Sequence, residues 1–378
     1  MNPEFLPDPN SIIITRKIRI FIDVPENNKE KGIEFFNKLK SWQTLVFKAS
    51  NLVSSHLFIQ AQAKELIYLQ EDVKFRLTNR KLDEKGMLNT SFFNSTYKLI
   101  SQKFKKELPS AIITCLNHNI FSTFSKEKAQ YSNGERSLRS YKSTIPVPFT
   151  SESLYDLKYN RGSRNFTFTL FKSQEYQIPL RTFLGRDLSN NKFILEKCLT
   201  NEYKLCNSSY LIKENKIYLL LTIKIPPQKH DLNYDTTAYV SLSFLAPIIV
   251  KINDKSFNIG DTESFLYKRL AIQQGLKRRQ QLMKFNNGGK GREKKTLAIK
   301  QFRQKEKQFI DNFTHKLSYD LVNFCISNKI GKLELKEVNQ NIEEAYNYPI
   351  VIRNWSFGSL LDKIEYKCKM KGIILTRN

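Results

Sequence analysis

Apolar and polar residues change period several times along this chain, and the changes mark its parts. Residues 12–24, Ile-Ile-Ile-Thr-Arg-Lys-Ile-Arg-Ile-Phe-Ile-Asp-Val, alternate in their second half and predict a strand. From residue 28 the period lengthens. Ile33, Phe36, Leu39, Trp42, Leu45, Val46, Ala49 and Val53 recur at three- and four-residue steps, as on a helix facing a core. A second helix is predicted over 54–70. A third starts at Pro109-Ser110, residue types suited to a helix start, and runs through Ile112, Leu116 and Phe121.

Extended patterning returns over 141–230. Phe166-Thr-Phe-Thr-Leu-Phe alternates, and Tyr210-Leu-Ile and Lys216–Ile225 flank Lys-Glu-Asn, which predicts a hairpin turn. From residue 235 strand and helix patterns alternate, the mark of an α/β layer. Strands are predicted at 239–244, 248–252 and 332–338. A helical region covers 261–327 with a break at Asn286-Asn-Gly-Gly-Lys-Gly. A further helix carries Phe357, Leu360, Leu361, Ile364 and Cys368 on one face, and a short strand starts at Ile373.

Composition narrows the partners. The 378 residues carry 62 Lys+Arg against 36 Asp+Glu, a net charge of +26, with 40% hydrophobic and 12% aromatic residues. Such a chain has ample material for two or three cores, and its excess charge suits a polyanion whose condensed counterions it releases. No apolar run of about 18 residues predicts a membrane span, and the N-terminus has no secretory pattern. Cys115, Cys198, Cys206, Cys325 and Cys368 form no Cys-x-x-Cys pair and read as small apolar residues of a reducing compartment. No phosphate-binding loop or dinucleotide fingerprint is present. The expectation is a cytoplasmic, nucleoid-associated bacterial protein, with no cofactor and no metal. Asn-, Lys- and Ile-rich usage fits an AT-rich bacterial genome.

Residues 276–308 concentrate the charge, including Lys277, Arg278, Arg279, Lys284, Lys290, Arg292, Lys294, Lys295 and Arg303. A basic helix with a Gly-rich break suits a nucleic-acid backbone; a solvated surface helix is the plainer alternative. Arg136, Arg139, Tyr141 and Lys142 pair charge with an aromatic ring suited to RNA. Ser110, Thr114 and Asn117 fall on one side of the third helix, either as base-reading groups or merely as its exposed face. Trp355 reads as core packing rather than base stacking.

Two segments carry a family resemblance. Tyr239-Val-Ser-Leu-Ser-Phe-Leu-Ala-Pro-Ile-Ile-Val and Lys332-Leu-Glu-Leu-Lys-Glu-Val-Asn flank the basic region. Their order, with Gln308–Val322, Trp355-Ser-Phe, Arg139-Ser-Tyr-Lys-Ser and the 210–226 hairpin, resembles the transposon-encoded TnpB nucleases over about 12–378. The resemblance implies an α+β multidomain fold. Residues 12–24 and 141–230 would form a β-barrel wedge domain, with an inserted helical recognition domain at 25–140. A truncated RuvC-like, RNase H-fold α/β domain lacking the zinc ribbon would occupy 231–378.

In that family the first strand typically reads Gly-Ile-Asp-Leu-Gly-Ile and the later one Ile-Val-Ile-Glu-Asp-Leu. Here Ser241 falls at the Asp, Ser243 at the following Gly, and Lys336 at the Glu. A hydroxyl and an ammonium are poor Mg²⁺ ligands. Asp235 lies six strand residues away, roughly 20 Å, while Glu334 lies two residues from Lys336, about 6.6 Å, close enough to substitute. The family's last Asp has no counterpart before Asn378.

This pattern is similar to the nuclease-dead TnpB descendants called TldR. It implies a non-enzymatic, RNA-guided DNA-binding repressor whose partners are a guide RNA and double-stranded DNA with a short flanking motif. The alternatives are an endonuclease acting through other acidic residues and an RNA-binding transposon remnant.

Overall fold

The computed structural model describes residues 12–68, 91–173, 175–185, 189–226, 230–242, 246–253, 255–284, 292–336 and 357–377. The chain divides into two compact units, residues 13–225 and residues 226–378 with 1–12.

In the first unit, β1 (Ile12–Ile22) buries Ile18 and Ile20 and turns Lys17, Arg19 and Phe21 outward. It joins β2 (Val147–Phe149), β3 (Leu154–Asn160), β4 (Asn165–Leu170), β5 (Ile178–Phe183), β6 (Lys204–Leu205), β7 (Ser208–Lys213) and β8 (Lys216–Ile225) in one sheet. The strand order is β2-β7-β8-β1-β5-β4-β3, with β6 on β8. Among the described residues this path has β2 and β3 as its edges, so strand pairing does not close the barrel expected from the sequence. The β7–β8 hairpin turns at Glu214 and Asn215, both left-handed with φ of 52° and 58°. Two consecutive positive φ values match the twist of a two-residue hairpin loop.

Three helices pack on that sheet: α1 (Lys29–Tyr68), α2 (Phe92–Phe104) and α3 (Ser110–Ser132). Leu39, Trp42, Val46, Ala49, Val53 and Leu57 of α1 are buried in one cluster with Ile100, Ile112, Leu116, Phe149 and Tyr210. The Tyr210 hydroxyl donates to the Leu39 carbonyl at 3.0 Å. Gln43 binds both the N–H and the C=O of Ile212. Helices and sheet thus share one core.

α1 is one continuous helix of 40 residues, where the sequence reading placed two. A polar run, Ser54 to His56, lies at the boundary between those two expected helices. The helix absorbs it, because Ser54 Oγ donates to the Arg139 carbonyl and His56 Nε2 bonds Ser95 Oγ. The stretch read as extended also contains a helix, α4 (Ser189–Leu199), which buries Ile194, Leu195 and Cys198.

The second unit holds β9 (Asn233–Ser241), β10 (Ile248–Ile252), β11 (Lys255–Ile259), β12 (Ile330–Leu335) and β13 (Ile374–Arg377) in the order β11-β10-β9-β12-β13. β9, β10 and β11 are antiparallel, whereas β12 runs parallel to both β9 and β13. Parallel neighbours need long crossovers. The helices α5 (Thr262–Lys284), α6 (Arg292–Ser327) and α7 (Phe357–Lys371) lie within them. Leu317, Leu321 and Cys325 of α6 and Leu360, Ile364 and Cys368 of α7 share a core with Ala238, Val240, Leu333 and Leu335. Gly331 sits where β12 meets β9 most closely: a Cβ there would lie 2.7 Å from the Asn233 carbonyl oxygen.

Candidate nucleic-acid interface

The parallel pairing of β9 with β12 brings the two singled-out strand ends together. Glu334 pairs with Tyr239 and Leu335 with Val240, and the Lys336 N–H donates to the Val240 carbonyl at 3.0 Å. Ser241 and Lys336 therefore stand side by side at the carboxyl ends of adjacent parallel strands, where open α/β sheets commonly hold ligands. Alternation sorts the faces. Ala238, Val240, Leu333 and Leu335 are buried in the core, while Tyr239, Ser241, Glu334 and Lys336 fall on the opposite face. Tyr239 is exposed, and Glu334 and Ser241 are half-buried.

Among the described residues no group of three or more His, Cys, Asp or Glu side chains gathers. Ser241 and Lys336 offer no anionic oxygen of the kind Mg²⁺ prefers, and Glu334 supplies a carboxylate on their face of the sheet. Ser243 and Trp355 lie outside the described residues.

The basic region forms a helical hairpin. Phe265 of α5 packs on Phe309 and Phe313 of α6, Arg269 on Glu306, and Gly275 on Phe302. The contacts advance along α5 as they recede along α6, so the two helices are antiparallel. Gly275 has a steric role: a Cβ would lie 2.8 Å from the Phe302 ring. Beyond that contact Lys277, Arg278 and Arg279 are all exposed, as is Arg303 on α6. None of these four has an acidic partner among the described residues. The backbones of Lys284, Arg292, Lys294 and Lys295 are helical; their side chains, and Lys290 with the Gly-rich break, lie outside the description.

The residues singled out in the first unit separate. Arg136 and Arg139 converge on Glu127, Arg136 at 3.0 Å and Arg139 through Nε and Nη2 to its two carboxylate oxygens. The Arg139 hydrogen bond leads the forces that lower the Glu127 carboxyl to about 2. Both arginines are engaged within the protein. Asn51 holds the backbone N–H and C=O of Tyr141, and its ring packs on the core, where burial raises its pKa. Lys142 is exposed.

Ser110 and Thr114 are exposed one turn apart on α3. Asn117 corrects the sequence reading. It is 0% exposed, and its Nδ2 donates to the Phe93 carbonyl at 3.0 Å, fastening α3 to α2. It is a helix-packing residue and cannot meet a base edge.

The sequence reading missed an outward cluster on the first sheet. Arg19 pairs across strands with Phe183, and Phe21 with Arg181. The Arg19 guanidinium lies 4.7 Å from the Phe21 ring centroid and 5.4 Å from that of Phe183. Lys17 sits 4.1 Å above Tyr218. Such cation–aromatic surfaces suit stacked bases. The alternation Lys17-Ile-Arg19-Ile-Phe21 was the available signal, but its partners lie some 160 residues away on β5.

No helix among the described residues is long and apolar enough to cross a membrane. No family model matches the chain. It is 23% identical over 263 residues, 67% of this chain, to the CRISPR-associated endodeoxyribonuclease Cas12f1 of Sulfoacidibacillus thermotolerans, and spans 61% of that relative's length. A cryo-EM structure of a Cas12f1–sgRNA–target DNA complex matches 97% of this chain and 89% of its own at 15% identity, with a TM-score of 0.69. A CRISPR–Cas12f ternary complex matches 94% of this chain and 75% of its own at 16% identity, with a TM-score of 0.40.

These findings overturn the expectation of a non-enzyme, an inactivated nuclease. The sequence relative is an endodeoxyribonuclease. Two replaced side chains do not establish loss of cleavage, because the register between such divergent strands is not fixed and Glu334 stands on the same face as both. By fold the chain is a mixed α and β protein built like Cas12f1, and by sequence it is distantly similar to the Cas12f1 of Sulfoacidibacillus thermotolerans.

Proposed function

We propose that this protein binds DNA under the direction of a guide RNA. The carrying observation is the α5–α6 hairpin, whose end presents Lys277, Arg278, Arg279 and Arg303 with no acidic partner among the described residues. In this reading it tracks a guide–target duplex through its backbone, and base pairing supplies the sequence selection. The strand order β11-β10-β9-β12-β13 supports a RuvC-like assignment for 231–378. The sheet of the first unit supports a wedge-like role, with the helices of 25–140 as the recognition part. Ser110 and Thr114 on α3 are the residues assigned to reading a short flanking motif. Where a guided target lies across a promoter, occupancy by this protein represses its transcription.

The test begins with sequencing RNA that co-purifies with the protein. The expected result is one RNA species with a constant scaffold and a guide segment. DNA matching that segment should then bind with an affinity that falls steeply with salt. Absence of bound RNA, or affinity that ignores the guide sequence, refutes the reading.

Strand cleavage is the second reading. It is favoured by the relative's endodeoxyribonuclease activity and by Glu334 on the face of Ser241. Glu337, the next carboxylate in the chain, lies outside the described residues. Guide-dependent cutting of plasmid DNA that Glu334→Gln or Glu337→Gln abolishes supports this reading; intact plasmid under conditions of full binding rejects it.

A further inference from the structure

We propose that the cleft between α5, α6 and α7 is a binding site for the phosphate of a nucleotide. This rests on the nucleic-acid reading above and shares Arg303 with it, but assigns a discrete cleft. The cleft has a volume of about 510 Å³ and is walled by Arg269 of α5, by Arg303, Glu306, Lys307 and Asp311 of α6, and by Ser359 of α7. A space of that size falls in the range of small-ligand sites.

The argument is one of charge pairing. Both acids on the wall are held by cations. Arg269, only 5% exposed, donates from Nε to Glu306 Oε1 at 3.1 Å, and Gln273 reaches the same oxygen at 3.3 Å. Lys363, 8% exposed, donates to Asp311 Oδ1 at 2.5 Å and to the Asp311 carbonyl at 3.1 Å. The Asp311 carboxyl is held below its ordinary range, chiefly by that Lys363 hydrogen bond. These pairs leave the wall neutral.

Arg303 and Lys307 remain. They are exposed and one helical turn apart on α6; neither is hydrogen-bonded to a carboxylate among the described residues, although the Lys307 charge also helps hold the Asp311 carboxyl low. Like charges at this spacing disfavour a helix, so an arriving anion relieves a repulsion as well as gaining two charge-assisted hydrogen bonds. Ile310, also on the wall, supplies an apolar surface beside them. A phosphate joined to a base, whose flat face is apolar, matches both.

The phosphate can belong to a strand or to a free nucleotide, and the two are separable. The probes are fluorescently labelled AMP and labelled single-stranded RNA, titrated into the full-length protein. Wild type is expected to bind labelled AMP, whereas labelled adenosine binds much more weakly. R303Q/K307Q should weaken AMP binding by at least about tenfold, the worth of one charged hydrogen bond. R303K/K307R should retain it. K316Q/K369Q, which makes the same change in net charge at two other exposed lysines, should leave it unaltered.

If unlabelled AMP displaces part of the RNA, the site holds a strand phosphate, and R303Q/K307Q should lower the salt slope for RNA by about 1.4. If AMP binds without displacing RNA, the site serves a free nucleotide. Thermal melting of each variant separates loss of binding from loss of fold. The proposal fails if wild type binds RNA but not AMP, if adenosine binds as well as AMP, or if K316Q/K369Q loses as much as R303Q/K307Q. Absence of RNA binding with AMP binding intact refutes the guided-DNA reading and leaves the nucleotide site standing.

Discussion

The end of the α5–α6 hairpin and the segment around Arg136–Lys142 are both basic, and their cations differ in availability. On the hairpin Lys277, Arg278 and Arg279 stand exposed without an acidic partner among the described residues. In the other segment Arg136 and Arg139 both grip Glu127, whose carboxylate also accepts from the Tyr131 hydroxyl. A basic residue already paired with a carboxylate has little net charge to offer a phosphate. Counting lysines and arginines finds both segments; only the fold shows which of them is free.

The largest effect should come from the hairpin. K277Q/R278Q/R279Q removes three unpaired cations, so the slope of log affinity against log salt for guided duplex DNA should shrink by about 2.7. Melting temperature should hardly change, since all three side chains are exposed. Electrophoretic or anisotropy titrations at several salt concentrations measure it. An unchanged slope would show that these cations meet no phosphate and would erase the contrast. R136Q/R139Q should lower the same slope by less than about 0.5, because these two charges are committed internally. A loss as large as that of the hairpin variant would mean that the arginines leave Glu127 when nucleic acid arrives.

How much of this was legible in the sequence follows the range of each interaction. The β7–β8 hairpin and the start of α3 depend on residues within a few positions, and their patterns placed them well. The pairing of Ser241 with Lys336 was legible only through a family motif, since nothing local ties strands so far apart in the chain. β9 begins at Asn233, six residues before the expected 239, because its first residues, Asn-Tyr-Asp-Thr-Thr, are polar and β12 alone tells them to be strand. Asn117 was misread for the same reason. Its partner is a carbonyl on a different helix, and a single polar residue at a helical position gives no sign that a distant acceptor waits for it. The activity was misread on chemistry that was sound for the two side chains and insufficient for the site.

The Glu127 clamp has its own signature. The carboxyl is held at about 2 in the fold, against an ordinary value of 4.5. A depressed carboxylate contributes stability that is fully present above its unfolded pKa and disappears as pH falls from about 4.5 towards 2. E127Q should therefore lose about 1 kcal/mol at neutral pH, the scale of an exposed ion pair. The difference between it and wild type should close as pH falls through that window. Chemical denaturation at pH 7, 4 and 3 reads both. A difference constant with pH would show that the clamp is packing rather than charge.

A third basic pair, Lys363 and Lys367 on α7, sharpens the comparison. Lys363 is buried and Lys367 half-buried against α6. Lys367 Nζ donates to the His315 carbonyl and, at 2.8 Å, to Ser318 Oγ; Tyr319 places a ring 5.7 Å away. Burial, helped by the neighbouring Lys363 charge and opposed by Asp320, lowers Lys367 to about 8 from 10.5. Below pH 8 both folded and unfolded chains carry the proton, and the full cost of burying the ammonium is present. Between about 8 and 10.5 the folded chain sheds a proton that the unfolded chain keeps, so this group makes stability rise with pH. Buried thiols act the other way: Cys115 and Cys198 are raised to about 11 and Cys325 to about 12, so they erode stability as the unfolded thiols ionise above about 9. The diagnostic quantity is therefore the difference between wild type and K367M, which keeps the aliphatic stem. Wild type should gain on the variant from pH 8 to 10. A flat difference would mean that Lys367 keeps its proton in the fold, its carbonyl and hydroxyl partners compensating fully for its burial.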